Sequence, residues 1–263
     1  MKLNNEPIRR LAKIGKRIDG RGLTEFRGPI KIETNISKTA EGSAKVTIGE
    51  TVVIAGVKLS IEKPYNDTPG EGGIMINAEL TPLSSPQYEP GPPRIKAIEL
   101  ARVTDRGIRE SKAIDVKKLC IKEGEKAWFV IIDIVTLNDA GNLFDAASFA
   151  TMAALKNARF REFDSETGVV DYKKFTDEKL PLNKEPIAVT VWKINGALIV
   201  DPISEEENCV DARLTIASDS NGVISAMQKG GETTFTADEV SQIVDIAQEK
   251  SNFLREVLDN ANL

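Results

Sequence analysis

A chain of 263 residues, 41% hydrophobic and 29% charged, can bury one large core or two smaller ones, and its charge density excludes a membrane-embedded protein. It contains no histidine, so the commonest general base and the most frequent transition-metal ligand are both missing, and any chemistry falls to carboxylates, arginines and lysines. The net charge of -5 is uneven: residues 1–21 carry seven basic side chains against Glu6 and Asp19, whereas residues 201–263 carry 13 acidic against four basic, so the two ends suit different partners.

No apolar run approaches the roughly 20 residues that span a bilayer, and residues 1–10 hold no apolar signal core, so export is not expected. Cys120 and Cys209 lie far apart, without the spacing of a zinc or redox pair. Both read as inert packing residues in a reducing cytoplasm.

In chain order, residues 7–14 read as a short basic helix with Ile8, Leu11 and Ala12 on one side, ended by Gly15. Its basic residues Arg9, Arg10 and Lys13, with Lys16 and Arg17 beyond it, suit an acidic partner, whether a polyanion or a protein surface. A glycine-rich turn follows over 17–22, fixed by an Asp19–Arg21 ion pair. Residues 30–36, 43–48 and 51–59 read as strands, with Gly49-Glu50 as a hairpin turn. Residues 65–73 are loop, and 74–80 another strand.

Pro92 and Pro93 suit the first turn of a helix but not its interior, so the periodic run to Glu110 is its body. At about 100° per residue, Ala97, Leu100, Ala101, Thr104 and Ile108 share one face. Arg102, Arg106 and Arg109 fall on the opposite one. Aligned guanidinium groups repel, and their rigid fork of donors fits phosphate or carboxylate, so the row reads either as a polyanion track or as a solvated face with local acidic pairs.

Residues 126–137 give the strongest strand signal and are too apolar for a sheet edge. After a turn at 138–142, residues 145–158 form an alanine-rich helix suited to close packing. Residues 162–184 are charged, aperiodic and bounded by Pro181 and Pro186, which marks a connection. Strands near 187–194, 197–200, 213–217 and 223–227 then lead to a long helix capped by Thr236 and Glu239, with Val240, Ile243, Val244, Ala247 and Leu254 buried. Trp128 and Trp192 sit inside apolar strands as core residues and not as base-stacking platforms. Strands followed by helices, twice, predict an α+β protein of two lobes: 1–165 with the basic helix at its start, a connection over 166–185, and 186–263.

The run Arg17-Ile18-Asp19-Gly20-Arg21, then Arg27-Gly28-Pro29-Ile30, Ala40-Glu41-Gly42-Ser43-Ala44 and Gly49-Glu50-Thr51-Val52-Val53, resembles the opening of the RNase PH family. Glu89-Pro90-Gly91-Pro92-Pro93, Glu99-Leu100-Ala101-Arg102 with Asp105-Arg106, and Asp201-Pro202 with Glu205-Glu206-Glu207 look like one branch of it, the non-catalytic RNase PH-like subunits of the archaeal exosome core. The resemblance implies the RNase PH fold, two βαβα-type lobes of the ribosomal protein S5 domain 2 kind. It also implies a hetero-hexameric ring, in which the chain alternates with a homologous catalytic subunit and phosphorolytic sites form at subunit interfaces. RNA shortened from its 3′ end and S1/KH-type cap subunits are the other implied partners.

Catalytic family members carry a Gly-Gly-Thr/Ser-Arg element before the alanine-rich helix, since inorganic phosphate needs backbone N–H groups, a hydroxyl and a guanidinium converging on it. Here the sequence is Gly141-Asn142-Leu143-Phe144. They also carry a Glu-Asp pair and a further Asp; Glu206-Glu207 stands for the pair, but the further Asp falls on Arg213, or on Asp211 with a gap. That acidic cluster reads as a solvated loop or a weak cation site. Lys96 replaces an arginine for the substrate end, keeping the charge and losing the fork.

The expectation is a subunit with no catalytic residues, metal or cofactor of its own, which completes a partner's active site and binds RNA through Arg102, Arg106 and Arg109, with Lys96 and Arg94. Its rivals are an active phosphate-dependent exoribonuclease built on Asp201, Glu206, Glu207 and Asp211, and a scaffold without RNA contacts.

Overall fold

The computed structural model describes residues 5–164 and 169–261. The start of the basic arm (1–4), the start of the expected connection (165–168) and residues 262–263 lie outside the described residues.

After helix α1 (Glu6–Lys13), strands β1 (Ile30–Thr34), β2 (Gly42–Ile48) and β3 (Thr51–Glu62) form an antiparallel meander, in which Ile48 opposite Thr51 closes the hairpin at Gly49-Glu50. β4 (Gly73–Leu80) leads into α2 (Ile95–Glu110), then into the short β5 (Cys120–Lys122) and into β6 (Lys126–Asn138). β6 pairs antiparallel with β3 and parallel with β4. A parallel pair cannot be closed by a tight turn, and α2 supplies the crossover. The sheet order is β1-β2-β3-β6-β4, with β6 interior as its apolar sequence requires.

The next element, α3 (Leu143–Lys156), is buried at every position from Asp145 to Leu155, because it packs on β2 and β3 and also on β9 (Ile187–Ile194) of the second sheet. Its small side chains permit the approach. A Cβ at Gly42 of β2 would lie 2.4 Å from the Ala154 carbonyl oxygen. The second sheet runs β10 (Ala197–Val200), β9, β11 (Ala212–Ser218), β12 (Ile224–Gly231), all antiparallel. α5 (Ala237–Asp259), with the Thr236–Glu239 capping box in place, lies on β9 and β11. One hydrophobic core joins both lobes, from Val46 and Phe149 to Val189 and Leu254. Trp128 and Trp192 are both buried. No helix among the described residues is long and apolar enough to cross a membrane.

Three sequence expectations change. Residues 162–184 are not a plain connection: β7 (Arg159–Asp164) and β8 (Val169–Lys179) pair as an antiparallel hairpin. Most of β8 is exposed, so no buried face imposes the alternation by which strands are recognised. Of the basic N-terminal residues, two are taken by the chain's own second lobe, Arg9 pairing with Asp211 at 2.8 Å and the buried Arg17 with Glu206, while Arg10, Lys13 and Lys16 stay exposed. The acidic run is not a solvated loop, since Ser204–Glu207 forms a helical turn, α4, in which Glu206 is buried.

Candidate functional site

The loop before α3 is built from polar contacts to both lobes. Arg27 donates from Nη1 to the Ala140 carbonyl at 2.6 Å and from Nη2 to the Gly141 carbonyl at 2.9 Å. The same guanidinium holds the fully buried Asp201 through Nε at 2.9 Å and Nη2 at 2.8 Å. Gly141 needs its positive φ of 100° and its missing Cβ, because a Cβ would sit 2.4 Å from the Pro202 carbonyl oxygen.

The amide groups of this loop are all taken. Ala140 N–H donates to Thr51 Oγ1 at 3.2 Å and Gly141 N–H to Asp139 Oδ1 at 3.0 Å. Asn142 N–H donates to Glu207 Oε1 at 2.6 Å. A carboxylate of the chain itself therefore sits on the amide that leads into α3. Burial pushes the Glu207 carboxyl up to about 7, and Asp139 repels its charge, against the pull of the Asn142 N–H. Asp145, wholly buried, is likewise pushed up to about 7 by burial and by the nearby Asp201, although Asn142 Nδ2 and Thr190 N–H donate to it.

Beside the loop lies a cavity of about 230 Å³. Leu143 and Phe144 project into its lining, where a phosphate cradle would need a hydroxyl and a guanidinium. Arg213 closes one side: it ion-pairs with Glu99 at 2.5 Å, and its guanidinium lies 4.2 Å from the Phe144 ring centre and 5.7 Å from that of Trp192. Burial holds the Arg213 pKa below its ordinary value, against the pull of Glu99. Gly230 lies opposite, and a Cβ there would fall 1.4 Å from Arg213 Nη1, so the guanidinium would have to shift.

Each carboxylate of the enzyme rival is engaged by another group of the chain, and Asp201 and Glu207 meet at Asn142. Asp201 is held by Arg27 and Arg21, Glu206 by Arg17, Asp211 by Arg9, and Glu207 by the loop amide. Among the described residues, no group of three or more His, Cys, Asp or Glu side chains is arranged to hold a metal ion.

Of the predicted RNA-binding residues, Lys96 and Arg94 both line the groove at the proline-rich loop, which holds none of the three arginines of α2. Lys96 lines the cavity, its ammonium 5.8 Å from the Tyr88 ring centre. Arg94, at the rim of the proline-rich loop, pairs with Glu89 at 2.5 Å and is exposed. Arg102 and Arg106 are exposed on α2, with neither an ion pair nor a side-chain hydrogen bond to another described residue. Arg109 departs from the row: it pairs with Asp105 at 2.7 Å and donates to the Ile74 carbonyl at 2.9 Å. The Asp105 hydrogen bond raises its pKa, despite partial burial. Asp139 and Tyr88 were not singled out in the sequence, and Arg27 only as part of a family motif. Their roles depend on contacts across 50 or more positions, such as Tyr88 O–H to Asp139 Oδ2 and Arg27 to Asp201, which no local pattern announces.

The profile described as "3′ exoribonuclease family, domain 1" matches residues 25–161, and that of domain 2 matches residues 184–250. Proteins named exosome complex component Rrp42 are similar along nearly the whole chain. The protein from Methanocella arvoryzae is 48% identical, covering 98% of this chain and 96% of its own length. That from Pyrococcus horikoshii is 47% identical, covering 94% and 90%. A solved structure described as the Archaeoglobus fulgidus exosome with RNA bound to the active site superposes with a TM-score of 0.87, at 42% identity and 96% coverage of each chain. A second, described as an archaeal exosome core, gives 0.84 at 39% identity, covering 97% and 96%.

Proposed function

The chain belongs to the 3′ exoribonuclease family, in the RNase PH fold, and from that membership we propose that it is a non-catalytic core subunit of an archaeal exosome, alternating in a ring with a homologous catalytic subunit. In that ring it completes the partner's active site and carries RNA on Arg102 and Arg106, in a cytoplasmic assembly closed by S1/KH-type caps. The observation that carries this reading is the Asn142 N–H to Glu207 bond: the loop that would cradle phosphate is satisfied by the chain's own carboxylate, with Leu143 and Phe144 in place of a hydroxyl and a guanidinium. A chain so arranged has no seat for the attacking phosphate.

The open face of α2 supports a role at a partner's site. Ile95 is 83% exposed and Ile98 48%, both on the face that carries Arg102 and Arg106, a mixture of apolar and cationic groups suited to a subunit boundary along which RNA passes. Phosphate contacts from such arginines position a strand without reading its bases.

The test is reconstitution. The chain, its catalytic homologue and their mixture are each assayed for phosphate-dependent release of nucleoside diphosphates. The chain alone is expected to be inactive and the mixture active; robust phosphorolysis by the isolated chain would overturn the reading.

A further inference from the structure

We propose that the cavity between α2, the loop before α3 and the second sheet is a binding site for a neutral planar heterocycle, a nucleobase or its nucleoside. Its size comes first. At about 230 Å³ it lies below the roughly 300–1,000 Å³ of pockets for drug-sized ligands, so it takes one ring system with little more and has no room for an oligonucleotide.

The charge of the lining disfavours an added anion. Glu99 is neutralised by Arg213, Asp139 accepts from Tyr88 O–H and from Gly141 N–H, and Glu207 accepts from Asn142 N–H. An added anion would meet Asp139 and Glu207 in the lining, with Lys96 as its one unpaired cation. An added cation would compete for aromatic faces already taken, Phe144 and Trp192 by Arg213 and Tyr88 by Lys96.

What remains suits a neutral ring. Leu80, Leu100, Leu143 and Phe144 give an apolar floor. The polar groups are of both kinds, with the Lys96 ammonium as donor and carboxylate oxygens as acceptors, which is the edge complement of a nucleobase. Trp192, in the lining and 6% exposed, holds its Nε1–H buried without an acceptor. This site belongs to the single chain and does not depend on its place in a ring.

Saturation-transfer NMR on the full chain, with adenosine and guanosine as probes and adenosine monophosphate and inorganic phosphate as competitors, tests the assignment. Saturable nucleoside binding with a Kd on the order of 0.1–1 mM is expected, with weaker binding of the monophosphate and no competition by phosphate. Asn208, exposed at the mouth, makes no hydrogen bond through its side chain, so Asn208→Trp should weaken binding about tenfold or more by filling the entrance, with an unchanged melting temperature. Phe144→Ala, which removes part of the floor, gives an independent reading with the same loss expected. Absence of saturable binding, displacement by inorganic phosphate, or undiminished affinity in both variants overturns the proposal.

Discussion

Asn142 N–H and Glu207 Oε1 lie 2.6 Å apart, and the bond joins the loop before α3 to α4, across the boundary between the lobes. Its neighbour in sequence has a different task. Glu206 accepts from Arg17 Nε at 3.1 Å and from Nη2 at 2.5 Å, with both side chains buried.

Adjacent glutamates should therefore behave differently. Removing one member of a buried pair strands the other charge, at a cost of about 3–5 kcal/mol, so Glu206→Ala should lower the melting temperature by on the order of 10 °C. Glu207→Gln keeps an acceptor for Asn142 and should leave the phosphorolytic rate of the reconstituted ring nearly unchanged. A rate loss on the order of a hundredfold would show that Glu207 takes part in catalysis.

Arg213 and Gly230 form a second coupled pair, because the guanidinium occupies the space a Cβ would need. Gly230→Ala should cost about 1–3 kcal/mol through overpacking. In an Arg213→Ala background the same change should be nearly neutral, since the obstructing atoms are gone. Chemical denaturation of the four proteins gives the coupling, and additive costs would contradict the geometry.

The two carboxyls pushed up to about 7 set a pH dependence. A carboxyl whose folded pKa is raised binds its proton more tightly in the native state, so its stabilising contribution is present below the unfolded pKa and is lost as pH rises through the folded one. Melting temperature should thus fall from about pH 4.5 to about pH 7 on account of Asp145 and Glu207. Asp19, Asp219 and Glu239, whose pKa values are lowered, act in the opposite sense at more acid pH. Glu207→Gln should flatten the slope in the upper window, and an unchanged slope would assign it elsewhere.

The sequence disclosed what local periodicity and composition control. The buried face of α2 is found where its spacing placed it, with Val103 and Gly107 added, and β6 is interior. The β7–β8 hairpin escaped because its exposed strand has no apolar rhythm, and α4 because a single turn has too few residues to show a period. In the site, Leu143 and Phe144 were legible where the family's phosphate cradle has a hydroxyl and a guanidinium. What fills its place was not. Glu207 reaches Asn142 from 65 positions away, and Arg213 reaches Glu99 across the lobes. The row of three arginines was correct as a helical projection, but Asp105 sits one turn before Arg109 and Ile74 offers it a carbonyl, which removes it from the row.

That separation of Arg109 from Arg102 and Arg106 yields the sharpest test of the RNA track. Each guanidinium that contacts a phosphate of single-stranded RNA releases condensed counterions, so losing one contact should lower the slope of log affinity against log salt by about 0.7. Arg102→Ala and Arg106→Ala should each weaken RNA binding of the reconstituted ring and reduce the slope by that amount, without changing base preference or assembly. Arg109→Ala should leave affinity and slope as they were, because its donors already serve Asp105 and the Ile74 carbonyl, and should instead cost a few tenths of a kcal/mol in stability from an ion pair that is partly solvent-screened. Filter binding across a salt series, with assembly followed by sedimentation, separates the outcomes. Equal effects at all three positions would mean that the Asp105 tether opens on binding RNA; unchanged binding at Arg102 and Arg106 would remove the RNA track from α2; and failure of those two variants to assemble would make the face a subunit contact.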